Sequence, residues 1–223
     1  MTPATPAAVL WDLDGTLLDS EKLWDIPLYE LTEKLGGELS LPTRQAMVGT
    51  NVKTTMHLLY AEVGIAEPSA ERLADGAAWL DRRMAEVLRG PLPWRPGARD
   101  ALAGVRAAGF PMALVTSTER GLTEIALDTI GRALFDVTVC GDEVDGHNKP
   151  HPEPYLRAAR LLGVDPASCV AVEDSPTGTA SAVAAGCTVV VVPCEVPVEP
   201  GERRVFRDSL EGLAATDLTT AMG

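Results

Sequence analysis

The stretch of sequence that decides the fold lies near the amino terminus and is Val9-Leu10-Trp11-Asp12-Leu13-Asp14-Gly15-Thr16. The apolar run at residues 7–11 predicts a buried strand that ends in two carboxylates one residue apart. Because side chains alternate between the faces of a strand, Asp12 and Asp14 are expected on the same side. Gly15 allows the backbone to bend there. Two charges at the edge of a core are costly without a cation or a shared proton, so the stretch indicates a functional site.

Composition and charge limit the classes of function. The chain has 223 residues, of which 46% are hydrophobic, as in globular proteins with a substantial core. A formal net charge of -13 argues against nucleic acid or an anionic membrane surface as partner, since both favour basic patches. Residues 1–6 lack the basic and apolar regions of a signal peptide, and no apolar run approaches the ~20 residues of a membrane span. The 4 cysteines have no metal-ligand spacing. We therefore expect a cytoplasmic protein; the sequence leaves the oligomeric state open, with a monomer favoured.

Beyond residue 91, short apolar runs alternate with helical patterns. The runs at residues 112–115, 137–140, 169–172 and 188–192 are continuous in small and branched apolar residues, which is typical of strands buried on both faces. This pattern predicts an α/β fold with a doubly wound parallel sheet, similar to the Rossmann type. Right-handed crossovers place the carboxyl ends of such strands along one edge, where ligands bind in this class of fold.

The sequence between the first strand and residue 91 contains only helical patterns, at residues 23–35, 52–63 and 70–88. Ser20 or Asp19 is the expected N-cap of the first of these helices. The patterns predict a chain in two parts, in which residues 1–18 and 92–223 form the α/β core and residues 19–91 form an inserted helical cap.

Chemically active side chains follow several of the predicted strands. They are Asp12 and Asp14 after the first strand, Thr116 and Ser117 after the second, Lys149 in the loop after the third, and Glu173 and Asp174 after the fourth. Each has a structural explanation by itself, such as a turn for Asp14 or a helix cap for Ser117. Their coincidence at one edge of the sheet favours a functional interpretation, because carboxylates, a lysine and a hydroxyl are the groups that phosphoryl transfer requires.

The chemistry of these groups predicts their roles. Asp12, Asp174 and one backbone carbonyl suffice to hold Mg²⁺, which prefers hard oxygen ligands and keeps several waters. The metal would let a dianionic phosphate approach Asp12 as the nucleophile. Asp14 could stay protonated and give its proton to the leaving oxygen. Thr116 and Lys149 would hold the equatorial phosphoryl oxygens.

At these residues the sequence resembles the haloacid dehalogenase superfamily of aspartate-nucleophile phosphotransferases. Its four motifs occur in order, as Asp12-Leu13-Asp14-Gly15-Thr16, Val115-Thr116-Ser117, Lys149-Pro150 and Glu173-Asp174-Ser175. The resemblance implies a nucleophile and metal ligand at Asp12 and a general acid/base at Asp14 whose backbone carbonyl binds Mg²⁺. It further implies a metal ligand at Asp174 and phosphate contacts from Thr116, Ser117 and Lys149. Glu173 is implied to be either an additional metal ligand or a residue that contacts the ligands from behind.

Departures from the superfamily pattern favour hydrolysis over phosphoryl isomerisation. In its phosphomutases an arginine that follows a glycine of the cap holds a second phosphate, and Val52 occupies that position here. Trp24 replaces a histidine of the first cap helix, and Glu119 stands near a position where the mutases have a lysine. We therefore expect a Mg²⁺-dependent phosphatase that hydrolyses a small phosphate monoester, such as a sugar or polyol phosphate, through an aspartyl-phosphate.

Alternatives to a phosphatase remain. One is a phosphomutase similar to β-phosphoglucomutase, and another is a catalytically silent binding module with the same fold. A dinucleotide-binding protein is disfavoured because no GxGxxG motif follows the first strand. Substrate specificity is expected from cap residues such as Trp24, Asn51 and Lys53.

Overall fold

One parallel sheet organises residues 5–223, which are the residues that this computed structural model describes, apart from the side chain of Glu21. The expectation about a signal peptide concerns residues 1–6, and residues 1–4 lie outside the described range. The strands of the sheet are β1 (Ala8–Trp11), β2 (Met112–Val115), β3 (Val137–Val139), β4 (Cys169–Glu173), β5 (Thr188–Val191) and β6 (Arg204–Phe206). Their spatial order is β3-β2-β1-β4-β5-β6, and each neighbouring pair is parallel.

Strand order reverses beside β1, which lies between β2 and β4. The pairing register places Trp11 opposite Leu114 on one side and Val172 on the other. Asp12 continues the alignment, because its backbone N–H donates to the carbonyl of Val172 at 3.0 Å. The residues that follow β1, β2 and β4 therefore lie at one level of the sheet edge, which is where ligands bind in doubly wound folds.

Helices cover both faces of the sheet. They are α5 (Ala98–Ala107), α6 (Arg120–Ile130), α7 (Glu153–Leu162), α8 (Pro176–Ala185) and α9 (Ala215–Ala221). Val9 and Trp11 pack with α5, α6 and α9 on one face, whereas Ala8 and Leu10 pack with α7 and α8 on the other. This alternation explains why β1 is apolar at every position. The predicted α/β class with a doubly wound parallel sheet is confirmed.

The chain between β1 and β2 is helical before α5 begins. It forms α1 (Glu21–Lys34), α2 (Leu41–Met47), α3 (Val52–Glu62) and α4 (Ala70–Leu88), and we call these the four-helix segment. The segment has its own apolar cluster, to which Leu28, Met56 and Leu80 belong. Met84 and Leu88 of α4 instead join the apolar cluster of the sheet. Among the described residues, none of the helices combines the length and the apolar character needed to cross a bilayer.

Three short elements have weak patterns in the sequence, and of these only a helix in the carboxyl-terminal segment was expected. Helix α2 has 7 residues, and Ser40 caps it by accepting from the backbone N–H of Thr43. Strand β6 has 3 residues at the edge of the sheet, and two of them are exposed. Helix α9 is equally short. A segment of this length contains too few turns or alternations to give a periodic pattern, so its structure depends on its neighbours.

The buried helix face next to the sheet provides a test of the fold. Leu102 of α5 is 0% exposed, whereas Leu161 of α7 is 56% exposed. We expect Leu102→Ala to lower the free energy of unfolding by about 2–5 kcal/mol, because it leaves a cavity in the core. The matched variant Leu161→Ala is expected within about 0.5 kcal/mol of wild type. Urea denaturation of both variants measures this difference, and equal losses would contradict the described packing.

Candidate active site

Three acidic side chains and one lysine meet at the carboxyl edge of the sheet. The Nζ atom of Lys149 lies 2.6 Å from Asp12 Oδ1, 2.6 Å from Glu173 Oε1 and 3.0 Å from the carbonyl of Val115. One carboxylate oxygen from each of Asp12, Glu173 and Asp174 lies within 4.8 Å of the others. All of these side chains are buried. The structure therefore brings Asp12, Lys149 and Asp174 into one site.

Glu173 is the last residue of β4 and holds Lys149 in place. Its Oε1 atom also accepts a hydrogen bond from the hydroxyl of Tyr155 at 2.6 Å. Its Oε2 atom lies 3.3 Å from the backbone N of Asp174 and 3.3 Å from the hydroxyl of Ser175. Both oxygens of Glu173 therefore have donors within the protein. This arrangement fits an acidic residue that lies outside the metal ligands and orients Lys149.

Burial and mutual repulsion set the electrostatics of this cluster. Burial raises the pKa of Asp12 to about 8, and the charge of Glu173 adds to this effect, against the opposing influence of Lys149. Burial by itself lowers the pKa of Lys149, but attraction to Asp12 and Glu173 outweighs it and leaves the pKa above its ordinary value. Burial also raises the pKa of Tyr155, so its phenol stays a donor. Three carboxylates face one ammonium, which leaves a negative site.

The acidic cluster fits a hard divalent cation such as Mg²⁺. Carboxylate oxygens are suitable ligands, and uncompensated buried charge favours a cation. Gly15, with φ +83°, allows Asp174 to come close to the loop after β1, because a Cβ atom at this position would lie 2.1 Å from Asp174 Oδ2. Thr16 donates to the other oxygen of Asp174 at 3.2 Å. The loop therefore accommodates and orients the carboxylate that a metal would use.

Asp14 lies beside the acidic cluster and accepts hydrogen bonds on both carboxylate oxygens. Ser20 Oγ and Trp24 Nε1 donate to Oδ1 at 2.6 and 3.2 Å. Thr118 Oγ1 donates to Oδ2 at 2.7 Å, and Thr116 Oγ1 lies 3.4 Å from the same atom. Ser20 occupies the N-cap position of α1, but its side chain makes no capping bond. The predicted cap position is correct, whereas the expected cap bond is replaced by the bond to Asp14.

The hydroxyl residues after β2 connect the sheet to the four-helix segment. Ser117 Oγ donates to the carbonyl of Gly49 at 3.2 Å. Thr116 is buried, and its Oγ1 accepts from the backbone N–H of Thr118 at 3.0 Å. Both residues line the same pocket as Lys149. Their contacts with phosphate stay predictions, as do the catalytic and metal-binding roles of the aspartates.

A pocket extends from Asp12 and Asp14 towards the four-helix segment. The rest of its lining, called the far wall below, consists of apolar side chains, hydroxyls and two acidic residues, namely Leu28, Met47, Thr50, Val52, Thr55, Leu80, Asp81, Glu119 and Leu122. Burial raises the pKa values of Asp81 and Glu119, which lie close to one another. Arg44 also lines the pocket, but its guanidinium is engaged by Asp25 at 2.5 Å and by Glu195 at 3.6 Å.

Two of the three cap residues expected to contribute to specificity lie outside the lining of this pocket, and sequence reasoning missed two residues of the site. Asn51 caps α3 by accepting from the backbone N–H of Thr54, and Lys53 is exposed. Neither belongs to the lining of the described pocket, whereas Trp24 does. Thr118 and Tyr155 were not predicted. Both had a weak signal, since Thr118 ends a run of three hydroxyl residues after β2 and Tyr155 ends the stretch from Lys149 over which the family resemblance extends.

A family model for haloacid dehalogenase-like hydrolases matches residues 6–186. The chain belongs to this family. The predicted resemblance and the expectation of a hydrolase are therefore confirmed. The matched region contains each of the motifs whose side chains meet at the sheet edge.

Curated relatives and solved structures agree with this membership. Hexitol phosphatase B of Escherichia coli (strain K12) is 33% identical over 227 residues, which cover 97% of this chain and 98% of the relative. A crystal structure of CbbY from Rhodobacter sphaeroides in complex with xylulose-(1,5)bisphosphate matches with a TM-score of 0.79 and 27% identity, over 96% and 99% of the two chains. A β-phosphoglucomutase from Clostridium difficile shares the fold with a TM-score of 0.84 at 19% identity, over 97% of each chain.

The close packing around Glu173 provides a test of the site's geometry. A Cβ atom at Gly178 of α8 would lie 1.9 Å from Glu173 Oε1, whereas nothing lies within 4 Å of one at Gly104 of α5. We expect Gly178→Ala to destabilise the fold by about 1–3 kcal/mol through overpacking. Gly104→Ala is expected to stabilise it by about 0.5–1 kcal/mol, because alanine is the better helix former. Urea denaturation gives both values, and a neutral Gly178→Ala would show that Glu173 does not occupy the described position.

Proposed function

We propose that this protein is a Mg²⁺-dependent phosphatase that hydrolyses a small phosphate monoester, such as a sugar or polyol phosphate. The observation that carries this proposal is the buried convergence of Asp12, Lys149 and Asp174 at the switch point of the sheet. Membership in a hydrolase family and the similarity to hexitol phosphatase B over nearly the whole chain support it.

Asp12 is the proposed nucleophile and Asp14 the proposed general acid/base. An oxygen of Asp12 attacks phosphorus, and the bond between phosphorus and the ester oxygen breaks as Asp14 gives a proton to the departing alcohol. Water then loses a proton to Asp14 and attacks the aspartyl-phosphate. The bond from phosphorus to Asp12 breaks, inorganic phosphate leaves, and both carboxyl groups return to their initial state.

The metal ligands in this proposal are the carboxylates of Asp12 and Asp174 and the backbone carbonyl of Asp14. When bound, Mg²⁺ would neutralise negative charge so that a dianionic phosphate can approach a carboxylate. Glu173 orients Lys149 from outside, since protein donors already engage both of its oxygens. Lys149, Thr116 and Ser117 are the proposed contacts of the phosphoryl oxygens.

We also propose that residues 19–91 act as a cap on a core formed by residues 1–18 and 92–223. The separate apolar cluster of the four-helix segment supports this division. The pocket lies between this segment and the sheet edge, with Leu28, Thr55 and Leu80 on one side and Thr116 and Lys149 on the other. A cap in this position would exclude bulk water from the reacting phosphate and would select the substrate's alcohol portion.

Hydrolysis fits the far wall of the pocket better than phosphomutase chemistry does. A mutase must bind a second phosphate there, which requires cationic partners. The wall instead presents Asp81 and Glu119 together with the neutral Val52, and Arg44 is engaged by acidic side chains. These groups suit a polyhydroxylated, uncharged substrate tail and would repel a second phosphate.

Cysteine chemistry supports a reducing compartment, and we propose a cytoplasmic location. Cys140, Cys169 and Cys187 are buried free thiols. Burial raises the pKa of Cys169 to about 11 and that of Cys187 to about 12, so these thiols are inert. Free cysteines of this kind are typical of reducing compartments.

A panel of phosphate monoesters with and without Mg²⁺ tests the proposed reaction. Wild type is expected to release inorganic phosphate from polyol or sugar phosphates only with the metal. Asp12→Asn is expected to lower kcat by at least about 10³-fold, because an amide cannot form the aspartyl-phosphate. Asp128→Asn, at an exposed position of α6, is the matched control and is expected to keep full activity. If Asp12→Asn kept its metal-dependent turnover, Asp12 would be excluded as the nucleophile.

The choice between hydrolysis and isomerisation has its own test. ³¹P NMR of wild type with a hexose 1-phosphate, with and without a catalytic amount of hexose bisphosphate, is expected to show inorganic phosphate and no hexose 6-phosphate. The expected rate does not depend on the bisphosphate, because Arg44 and Lys149, the cations among the described residues that line the pocket, already contact acidic side chains. Accumulation of the 6-phosphate in a bisphosphate-dependent reaction would identify a mutase instead.

A further inference from the structure

Two acidic side chains of the far wall meet where α4 packs against α6. Asp81 follows the buried Leu80 on α4, and Glu119 occupies the N-cap position of α6. We call Asp81 and Glu119 the carboxyl pair. Both are half-buried and line the pocket that also contains Asp12 and Lys149. The carboxyl pair therefore borders the space that the alcohol portion of the substrate would occupy in the proposed reaction.

The two carboxyl groups hydrogen-bond to one another. Glu119 makes no capping bond to α6, and Asp142 instead accepts the backbone N–H of Arg120 at 2.9 Å. An ionised carboxylate can only accept, so a hydrogen bond between two carboxyl groups requires a proton on one of them. Burial raises the pKa of both groups, which favours this proton. The carboxyl pair thus holds one proton and one negative charge.

The negative charge of the carboxyl pair has no cationic partner in the part of the chain that the structure describes. None of the ion pairs there includes either carboxyl group. The guanidinium of Arg120, next in sequence to Glu119, contacts Glu143 at 2.8 Å and Glu124 at 3.0 Å. Asp142 adds a further negative charge nearby. A half-buried charge without a partner favours a ligand group of opposite sign.

We propose that the carboxyl pair selects the alcohol portion of the substrate by its charge, so that the protein prefers phosphate monoesters of aminated polyols, accepts those of uncharged polyols and rejects those of sugar acids. This inference rests on the proposed phosphatase function and extends its substrate class from uncharged to aminated alcohols. An ammonium or a hydroxyl of the substrate donates to the remaining oxygens of the carboxyl pair. A carboxylate has no proton to donate and is repelled.

Three substrates that differ only at one end test this selection at saturating Mg²⁺. They are 1-amino-1-deoxyglucitol 6-phosphate, glucitol 6-phosphate and 6-phosphogluconate, which carry an ammonium, a hydroxyl and a carboxylate on the carbon farthest from the phosphate. For wild type we expect kcat/KM to be about tenfold higher for the amine than for the polyol. We expect it to be about tenfold lower for the acid than for the polyol. Each step corresponds to one charge–charge interaction in a half-buried site.

The double variant Asp81→Asn, Glu119→Gln removes the charge of the carboxyl pair and keeps the size of both side chains. Both substitutions are needed, because loss of one carboxyl group leaves the other able to ionise. The double variant is expected to lose most of both preferences, so that kcat/KM for the three substrates lies within about threefold.

Glu119→Lys provides a second variant, since it places an opposite charge beside Asp81. It is expected to raise kcat/KM for 6-phosphogluconate relative to glucitol 6-phosphate by about tenfold. A gain in the use of the acid cannot come from loss of structure, so this variant decides the question if the double variant does not fold.

Asp128→Lys is the matched control for the charge of the whole chain. The formal net charge of -13 disfavours anionic substrates in general, and Asp128→Lys changes it by the same amount as the other variants. Asp128 is exposed on α6, outside the lining of the pocket, so this variant is expected to keep the wild-type ratios.

The inference would be overturned if wild type used the three substrates equally or preferred the acid. Wild-type ratios in the folded double variant or in Glu119→Lys, or an equal change in Asp128→Lys, would also overturn it. Failure of wild type to release phosphate from all three substrates would instead overturn the proposed function, and this inference with it. The two failures are therefore distinguishable.

Discussion

The structure depends on a cluster in which three buried carboxylates face one buried lysine. Lys149 contacts Asp12 and Glu173 at 2.6 Å each, and Asp174 lies within 4.8 Å of both acids. Burying such a cluster is unfavourable by itself, and burial together with the charge of Glu173 raises the pKa of Asp12 to about 8. In the proposed function, this cost is offset when the cluster holds a divalent cation and a phosphate next to the nucleophile.

Many of the surrounding details serve to hold this cluster. The parallel register ends β1, β2 and β4 at one level, which brings residues from distant parts of the chain together. Gly15 and Gly178 leave space for the carboxylates of Asp174 and Glu173, where a Cβ atom would overlap them. The four-helix segment contributes side chains to the lining of the pocket, and Trp24 of α1 contacts Asp14. In the proposed function, the sheet edge supplies the nucleophile, and the general acid/base Asp14 contacts both the loop after β2 and α1.

The sequence predicts the sheet well because continuous apolar runs between helical patterns have few alternative structures. It also predicts which motifs lie at the sheet edge, since that follows from parallel topology alone. It does not predict the partners of each side chain. Ser20 has the pattern of an ordinary N-cap, and the motif that contains Tyr155 does not reveal its bond to Glu173, because both contacts are made across the fold. Asn51 and Lys53 were expected in the pocket, but spacing along the chain does not reveal that Asn51 caps α3. Short elements such as β6 depend on the neighbouring strand for their structure.

The most direct test of the account is the effect of Mg²⁺ on the free energy of unfolding, measured by urea denaturation at constant ionic strength. At a concentration about 100 times Kd, Mg²⁺ is expected to stabilise wild type by about 2.7 kcal/mol, because it binds the folded acidic cluster. Asp174→Asn is expected to be at least as stable as wild type without metal, since it removes a buried negative charge, and to lose the response to Mg²⁺. The exposed control Asp128→Asn is expected to keep that response. Wild-type stability that does not change with Mg²⁺, or an unchanged response in Asp174→Asn, would contradict the account.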